Sequence, residues 1–198
     1  MDTERVIESQ TVVIKGGKIT EMGTKVKYSK DALVIDGKGK FLMPGLAEMH
    51  AHVPPISDIE PMKEVLSLFA ASGITTIRGM LGHPRHLELR EMINKNEIIG
   101  PRFYTTGPSF NGISVKNSET GIRMVREQKE AGYDFLKLHP GLTKETFGAI
   151  STTANEVGIP FVGHVSFGVG VWRAIESGYS SIDHIDGFVE ALVPGIER

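Results

Sequence analysis

Four histidines and one lysine have the residue types and the spacing of a metal-binding site. His50 and His52 follow one short apolar segment, and Lys137, His164 and His184 each lie late in another. A polar side chain in an apolar strand costs free energy unless a partner satisfies it, so the repeated exception needs a common cause. We expect these side chains to converge on a shared metal site.

His50 and His52 are separated by one residue, and in a strand this spacing places both imidazoles on the same face. One cation could then bind both at about 2.0–2.1 Å. The alternative is a hydrogen-bonded structural pair, just as His164 or His184 taken singly could be a satisfied core histidine. Two successive apolar segments that end in histidine favour ligands. Because the chain has no cysteine, any metal must rest on nitrogen and oxygen ligands.

From Pro44 onward, short apolar segments alternate with amphipathic helical patterns. The segments recur about every 20 to 30 residues, which is the length of a βα unit. One helix is predicted between the fourth and fifth segments, with Thr143 as its N-cap and Gly158 just beyond its end. The predicted strands are 46–49, 74–78, 102–106, 133–138, 161–165 and 181–185.

The candidate ligands favour an α/β fold in the form of an incomplete TIM-type (β/α) barrel of about six βα units. Catalytic groups of such a barrel come from the C-terminal ends of several strands. The first strand-to-helix turn, 51–55, lacks the Gly-rich loop of a doubly wound dinucleotide-binding sheet. We expect the barrel to occupy 44–198 and a small β-sandwich-like domain to occupy 1–43. The predicted strands of that domain are 11–15, 18–22, 32–36 and 40–43.

The composition argues against several classes of function. A net charge of −2 with mixed signs gives no electrostatic reason to bind nucleic acid or an anionic membrane surface. Because the sequence shows no signal-peptide core and no long apolar run, we expect a cytoplasmic protein. A secreted protein whose leader had been removed would look the same.

Longer motifs resemble the amidohydrolase superfamily, and within it the imidazolonepropionase-like branch that includes Xaa-Pro dipeptidases. The stretch 34–52, Val-Ile-Asp-Gly-Lys-Gly-Lys-Phe-Leu-Met-Pro-Gly-Leu-Ala-Glu-Met-His-Ala-His, is similar to the first barrel strand of that family and the segment before it. The resemblance continues through Gly73-Ile-Thr-Thr-Ile-Arg, Ile99-Gly-Pro-Arg, Asp134-Phe-Leu-Lys-Leu and Ile182-Asp-His-Ile. It covers nearly the whole chain and says little about the substrate.

The resemblance implies a role for each candidate residue. His50 and His52 would bind the more buried of two metals, and His164 and His184 the more exposed one. Lys137 would be carbamylated by carbon dioxide and bridge the metals, since a protonated lysine has no lone pair for a cation. Lys137 and His184 would take part in catalysis. Two zinc ions are expected, and nitrogen and oxygen ligands leave manganese, cobalt or nickel open.

The resemblance also implies residues that this sequence does not show. Family members carry a metal-binding aspartate, the general base, at the end of an eighth strand, and no residue here aligns with it. Asp183 and Asp186 flank His184 in the sixth predicted strand and receive no role. We therefore expect the N-terminal portion of a longer enzyme, truncated before strands 7 and 8. Its two unpaired strand edges favour a homo-oligomer.

Other polar residues are given roles with alternatives. His139 shares a strand face with Lys137 and is expected to line the substrate pocket, unless the turn at Pro140 diverts it. His83 and His86 are expected in a solvated loop. Two further predictions follow from residue type alone: Arg78 and Arg102 form structural salt bridges, and Trp172 packs in the core or an interface.

Two functions of different classes remain. The first is a metal-dependent amidohydrolase that hydrolyses a C–N bond in a small-molecule or dipeptide-like substrate. The second is a truncated, non-catalytic domain that self-associates and binds metal weakly or not at all. The intact set of five ligands favours the first, whereas the missing aspartate and the open edges favour the second.

Overall fold

The structure, a computed structural model, describes residues 5–193. The chain divides into two compact units, Met1–Met43 and Pro44–Arg198. The outer ends of the two predicted domains, 1–4 and 194–198, lie outside the described residues.

The first unit contains an antiparallel hairpin of β1 (Thr11–Lys15) and β2 (Lys18–Gly23). Gly16 and Gly17 form its turn with φ of 58° and 73°, the positive values that a tight two-residue hairpin turn requires. This hairpin confirms the first pair of predicted strands.

The second predicted pair of strands in this unit, 32–36 and 40–43, is wrong. Both segments are irregular, and Leu33 and Phe41 are 89% and 81% exposed. An isolated pair of strands is marginal in water without an apolar surface to pack on, and these side chains have none within the described residues. The sandwich-like domain stays a prediction.

The second unit alternates strands with helices. Its strands are β3 (Leu46–Ala51), β4 (Ile74–Gly79), β5 (Arg102–Thr105), β6 (Leu136–Leu138), β7 (Phe161–Gly163) and β8 (Ser181–Ile182). Its helices are α1 (Glu60–Ala71), α2 (Arg85–Asn94), α3 (Ser118–Ala131), α4 (Lys144–Val157), α5 (Val171–Glu176) and α6 (Phe188–Ala191). None of the helices in residues 5–193 has the length and apolarity needed to cross a membrane.

All strand pairs in this unit are parallel, and neighbouring strands follow chain order. One sheet has the order β3-β4-β5 and the other β6-β7-β8. Between them, isolated parallel bridges join Thr106 to Phe135 and Phe110 to Leu138, and the Asp134 N–H donates to the Thr105 carbonyl at 3.0 Å. The unit is therefore a mixed α/β fold built on parallel strands, whose carboxyl ends lie on one side.

The best-defined helix, α4, follows from its sequence. The Thr143 hydroxyl accepts from the N–H of Thr146 in a capping box, and Gly158 ends the helix at φ 65°. Phe147, Ile150 and other apolar side chains of one face are buried in a core shared with β6, β7 and α3. These caps confirm the predicted helix.

Two predictions about element boundaries and packing differ from the structure. β8 has two residues instead of the predicted five, because the chain turns at Asp183 and both His184 and Ile185 have positive φ. Trp172 is 60% exposed and does not belong to the core, so only its predicted interface role remains.

Gly163 allows β7 to approach β6 directly before His164. Its φ is 132°, and a Cβ there would lie 2.1 Å from the carbonyl oxygen of Leu138. The N–H of His164 donates to that same oxygen at 2.9 Å. A side chain at Gly163 would therefore disturb both the backbone and the placement of His164.

We predict that Gly163→Ala lowers the free energy of unfolding by about 2 kcal/mol or more, because it adds backbone strain and a clash. Gly148→Ala is the matched control, since a Cβ there meets nothing within 4 Å. Gly148 lies inside α4, so this control should raise stability by about 0.5–1 kcal/mol. Urea unfolding of both variants measures the difference, and equal stabilities would contradict the prediction.

Candidate metal centre

The carboxyl ends of β3, β6, β7 and β8 bring the predicted histidines together. The ring centroid of His50 lies 5.1 Å from that of His52 and 4.9 Å from that of His184. The ring centroids of His164 and His184 are 4.8 Å apart, and the ring centroid of His139 lies 5.1 Å from that of His164. Their proximity is observed, whereas their roles as metal ligands remain predictions.

Lys137 of β6 is fully buried at the base of these histidines. Its ammonium donates to the carboxylate of Asp183, which is also buried. Burial lowers the pKa of Lys137, and the bond to Asp183 opposes that shift. The pair leaves neither buried charge without a partner.

Asp183 is the functional residue that the sequence interpretation missed. Its Oδ2 lies 3.5 Å from Nδ1 of His50. Ligand atoms of His50, Asp183 and His184 all lie within 4.8 Å of one another. The signal was the adjacent Asp-His pair at 183–184, but Asp183 belongs to the sixth predicted strand and a ligand aspartate was expected only after an eighth, so Asp183 was given no role.

His164 is held by two hydrogen bonds. Its Nδ1 lies 2.7 Å from Oδ2 of Asp186, an aspartate that the sequence interpretation also left without a role. The Tyr179 hydroxyl donates to the His164 carbonyl at 2.7 Å, and burial raises the pKa of Tyr179, which keeps it a neutral donor. A hydrogen bond donated by Nδ1–H to Asp186 would leave Nε2 of His164 available to bind a metal.

His139 is half-buried beside His164. Burial, followed by the charge of Lys137, lowers the pKa of His139 to about 4. Its imidazole is therefore neutral at pH 7. The predicted contact of His139 with substrate stays a prediction.

A cavity borders the histidine cluster next to His184. Its lining combines apolar side chains with two carboxylates, those of Asp186 and Glu190. Among the apolar residues are Val165, Phe167, Ile185 and Val189. The cavity offers space for an apolar group directly beside His184.

The prediction that His86 lies in a solvated loop is wrong, because its side chain is fully buried. Nδ1 of His86 accepts from the N–H of His83 at 3.3 Å, and Nε2 lies 3.4 Å from the Pro54 carbonyl. His86 thus connects the start of α2 to the loop that follows His52. Burial lowers the pKa of His86 to about 4.

The predicted salt bridges of Arg78 and Arg102 are also wrong, because neither residue has an ion pair within 5–193. Nε of Arg78 donates to the Met49 carbonyl at 2.8 Å. The guanidinium carbon of Arg78 lies 5.7 Å from the centre of the Phe135 ring. Arg78 instead connects β4 to β3 just before His50.

Comparisons with known proteins were made by sequence and by fold. No protein-family profile matches the chain. In sequence, the chain is 56% identical over 46 residues to a 5'-deoxyadenosine deaminase of Methanosarcina mazei, covering 23% of this chain and 10% of that protein.

Solved structures match over most of the chain. An amidohydrolase superposes with a TM-score of 0.75 and 20% identity, covering 91% of this chain and 57% of that one. A proposed prolidase of Bifidobacterium longum gives a TM-score of 0.73 and 25% identity, covering 87% of this chain and 48% of that one. The chain thus spans about half the length of these two structures.

The chain belongs to the amidohydrolase superfamily, which confirms the superfamily expected from its motifs. The fold and the cluster of histidines on the carboxyl side of parallel strands agree with that membership.

We predict that His86 makes stability depend on pH. Its pKa is about 4 when folded against 6.5 when exposed, so below about pH 6.5 the unfolded chain gains a proton that the folded chain does not. The free energy of unfolding should fall by up to about 3 kcal/mol as the pH drops from about 6.5 to about 4. His86→Gln should flatten this slope in urea unfolding, relative to wild type.

The control is His83→Asn, which removes the neighbouring histidine and should keep the wild-type slope. Identical slopes for His86→Gln and wild type would contradict the assignment of the effect to His86.

Proposed function

We propose that this protein is a metal-dependent amidohydrolase that hydrolyses a C–N bond in a small-molecule or dipeptide-like substrate. The observation that carries the proposal is the convergence of His50, His164 and His184 around a fully buried lysine. The matched proteins are named as a deaminase and a prolidase, and both names denote cleavage of a bond to nitrogen. The second unit would then form six strands of a (β/α) barrel.

The donor set fits divalent metal. His50 and His52 would hold one ion, and His164 and His184 would hold a second. Zinc is expected, and the same nitrogen and oxygen ligands would also accept manganese, cobalt or nickel. Such ions would polarise the scissile carbonyl and lower the pKa of water. The fit rests on imidazoles placed with a buried carboxylate, which is the ligand chemistry these ions prefer.

Lys137 would bridge the metals as a carbamate. In that reaction, Nζ of the ammonium loses two protons and forms a bond to the carbon of carbon dioxide. Burial favours the first loss, because it lowers the pKa of Lys137. Asp183 already accepts a hydrogen bond from this ammonium, so its carboxylate can take one of the two protons, and the other would go to water.

Other residues of the chain orient the ligands and the substrate. Asp186 fixes the tautomer and ring plane of His164, and Tyr179 holds its backbone. The cavity beside His184, with Val165 and Phe167 in its lining, would receive an apolar portion of the substrate. A dipeptide, an N-acyl amino acid or a cyclic amide with an apolar portion would fit this description.

A non-catalytic, self-associating domain is the second candidate. It is favoured by two unpaired strand edges, of β3 and β8, within the described residues. It is also favoured by exposed apolar side chains such as Leu33, Phe41 and Leu42. Association of these surfaces into a homo-oligomer would bury them. Sedimentation velocity tests association, and metal content with turnover distinguishes the two functions.

We predict that His50→Asn and His184→Asn each weaken zinc binding by about 100-fold or more and abolish turnover, because each removes a ligand. Metal content after dialysis and amine release from a panel of dipeptides, N-acyl amino acids and cyclic amides are the measurements.

The matched control is His83→Asn, a histidine outside the cluster, which should keep wild-type zinc content and turnover. Stoichiometric zinc in His50→Asn would contradict the proposed site. Zinc binding by wild type without turnover on any substrate would favour the second candidate.

A further inference from the structure

We propose that Asp183 is itself a metal ligand, and that His50, Asp183 and His184 form a site of two histidines and one carboxylate. The proposal rests on the function proposed above for the presence of a metal. It revises the division of ligands given there, because it places His50 and His184 on the same ion. It gives a role to an aspartate in the turn after β8.

The distances suit a single cation. Two ligand atoms bound tetrahedrally at about 2.1 Å lie about 3.4 Å apart. Oδ2 of Asp183 and Nδ1 of His50 are already 3.5 Å apart. All three ligand atoms lie within 4.8 Å of one another, so side-chain movements of about 1 Å would bring them to the separations that one tetrahedral ion requires.

The backbone after β8 is built so that Asp183 and His184 reach the same point. In a continued strand these neighbours would face opposite sides of the sheet. Instead, His184 and Ile185 have φ of 57° and 61°, a conformation that is strained for residues other than glycine and most of all for a β-branched one. Such strain costs about 1–3 kcal/mol per residue and concentrates at functional sites.

Neighbouring hydrogen bonds hold this strained turn. The N–H of Asp183 donates to the Gly163 carbonyl at 2.8 Å, and the N–H of Asp186 donates to the Asp183 carbonyl at 3.1 Å. The turn is therefore fixed to the end of β7, one residue before His164. This attachment places the carboxylate and His184 together.

The partner of Asp183 in the described structure shows that this position favours a cation. Its buried carboxylate accepts from the fully buried ammonium of Lys137 and faces His50. A divalent ion bound to the same carboxylate would replace the ammonium as its counter-charge. Lys137 and the metal should therefore compete for Asp183 when the lysine is unmodified.

The test uses a background without the buried ammonium, because Asp183→Asn alone would leave Lys137 unpaired and could unfold the protein. We compare Lys137→Met with the double variant Lys137→Met/Asp183→Asn. Zinc binding is measured by titration calorimetry, and folding by circular dichroism. Lys137→Met should bind at least one zinc ion, and the added Asp183→Asn should weaken that binding by about 100-fold or more.

A matched control is Lys137→Met/Asp134→Asn. It makes the same carboxylate-to-amide change at an aspartate that pairs with Arg90 at 2.9 Å, outside the cluster. This control should bind zinc as tightly as Lys137→Met. With cobalt in place of zinc, the visible absorption bands should change on the Asp183→Asn substitution and not on the Asp134→Asn substitution.

Equal zinc affinity of Lys137→Met and Lys137→Met/Asp183→Asn would overturn the assignment of Asp183. A folded Lys137→Met variant that binds no zinc although wild type does would also overturn the proposal, because His50, Asp183 and His184 would then not hold a metal without the lysine. A wild-type protein that binds no zinc would instead overturn the proposed function itself, so the two failures are distinguishable.

Discussion

The buried contact between Lys137 and Asp183 is the interaction on which the site depends. A fully buried ammonium is tolerated only with a paired and hydrogen-bonded counter-charge. Because the two residues lie on β6 and just after β8, the pair fixes the distance between strands that are not neighbours. The histidines that follow β7 and β8 take their positions from this contact. The charges thus organise the histidine cluster instead of merely lining it.

Three backbone exceptions of the second unit lie beside residues of the same site. Gly163 has a φ of 132° immediately before His164, and His184 and Ile185 have positive φ just after Asp183. The positive φ of His184 and Ile185 costs free energy that a regular strand would avoid, whereas Gly163 adopts its φ because it has no Cβ. The buried core around β6, β7 and α4 supplies the packing that holds such conformations in place. Packing of this core therefore stabilises the strained backbone at the candidate site.

The sequence predicted the parts of this molecule that depend on local rules. The caps of α4 and the glycine turn between β1 and β2 follow from residue type. As the i, i+2 spacing predicts, the rings of His50 in β3 and His52 just after it lie 5.1 Å apart. The missed features depend on tertiary context. Asp183 was given no role because a ligand aspartate was expected only after an eighth strand, and His86 was placed in solvent because a polar loop was assumed to be solvated. Residues 32–43 have strand-like composition but lack a surface to pack on.

Charge balance would couple the proposed carbamylation of Lys137 to metal binding. As described, the cluster contains two carboxylates, Asp183 and Asp186, against one ammonium. Conversion of Lys137 to a carbamate would reverse its charge and place three anions among the histidines. A buried arrangement of this kind is unstable unless cations enter, and two divalent ions more than balance it. The lysine should therefore remain paired with Asp183 until metal arrives, so that its modification and metal loading occur as one coupled step.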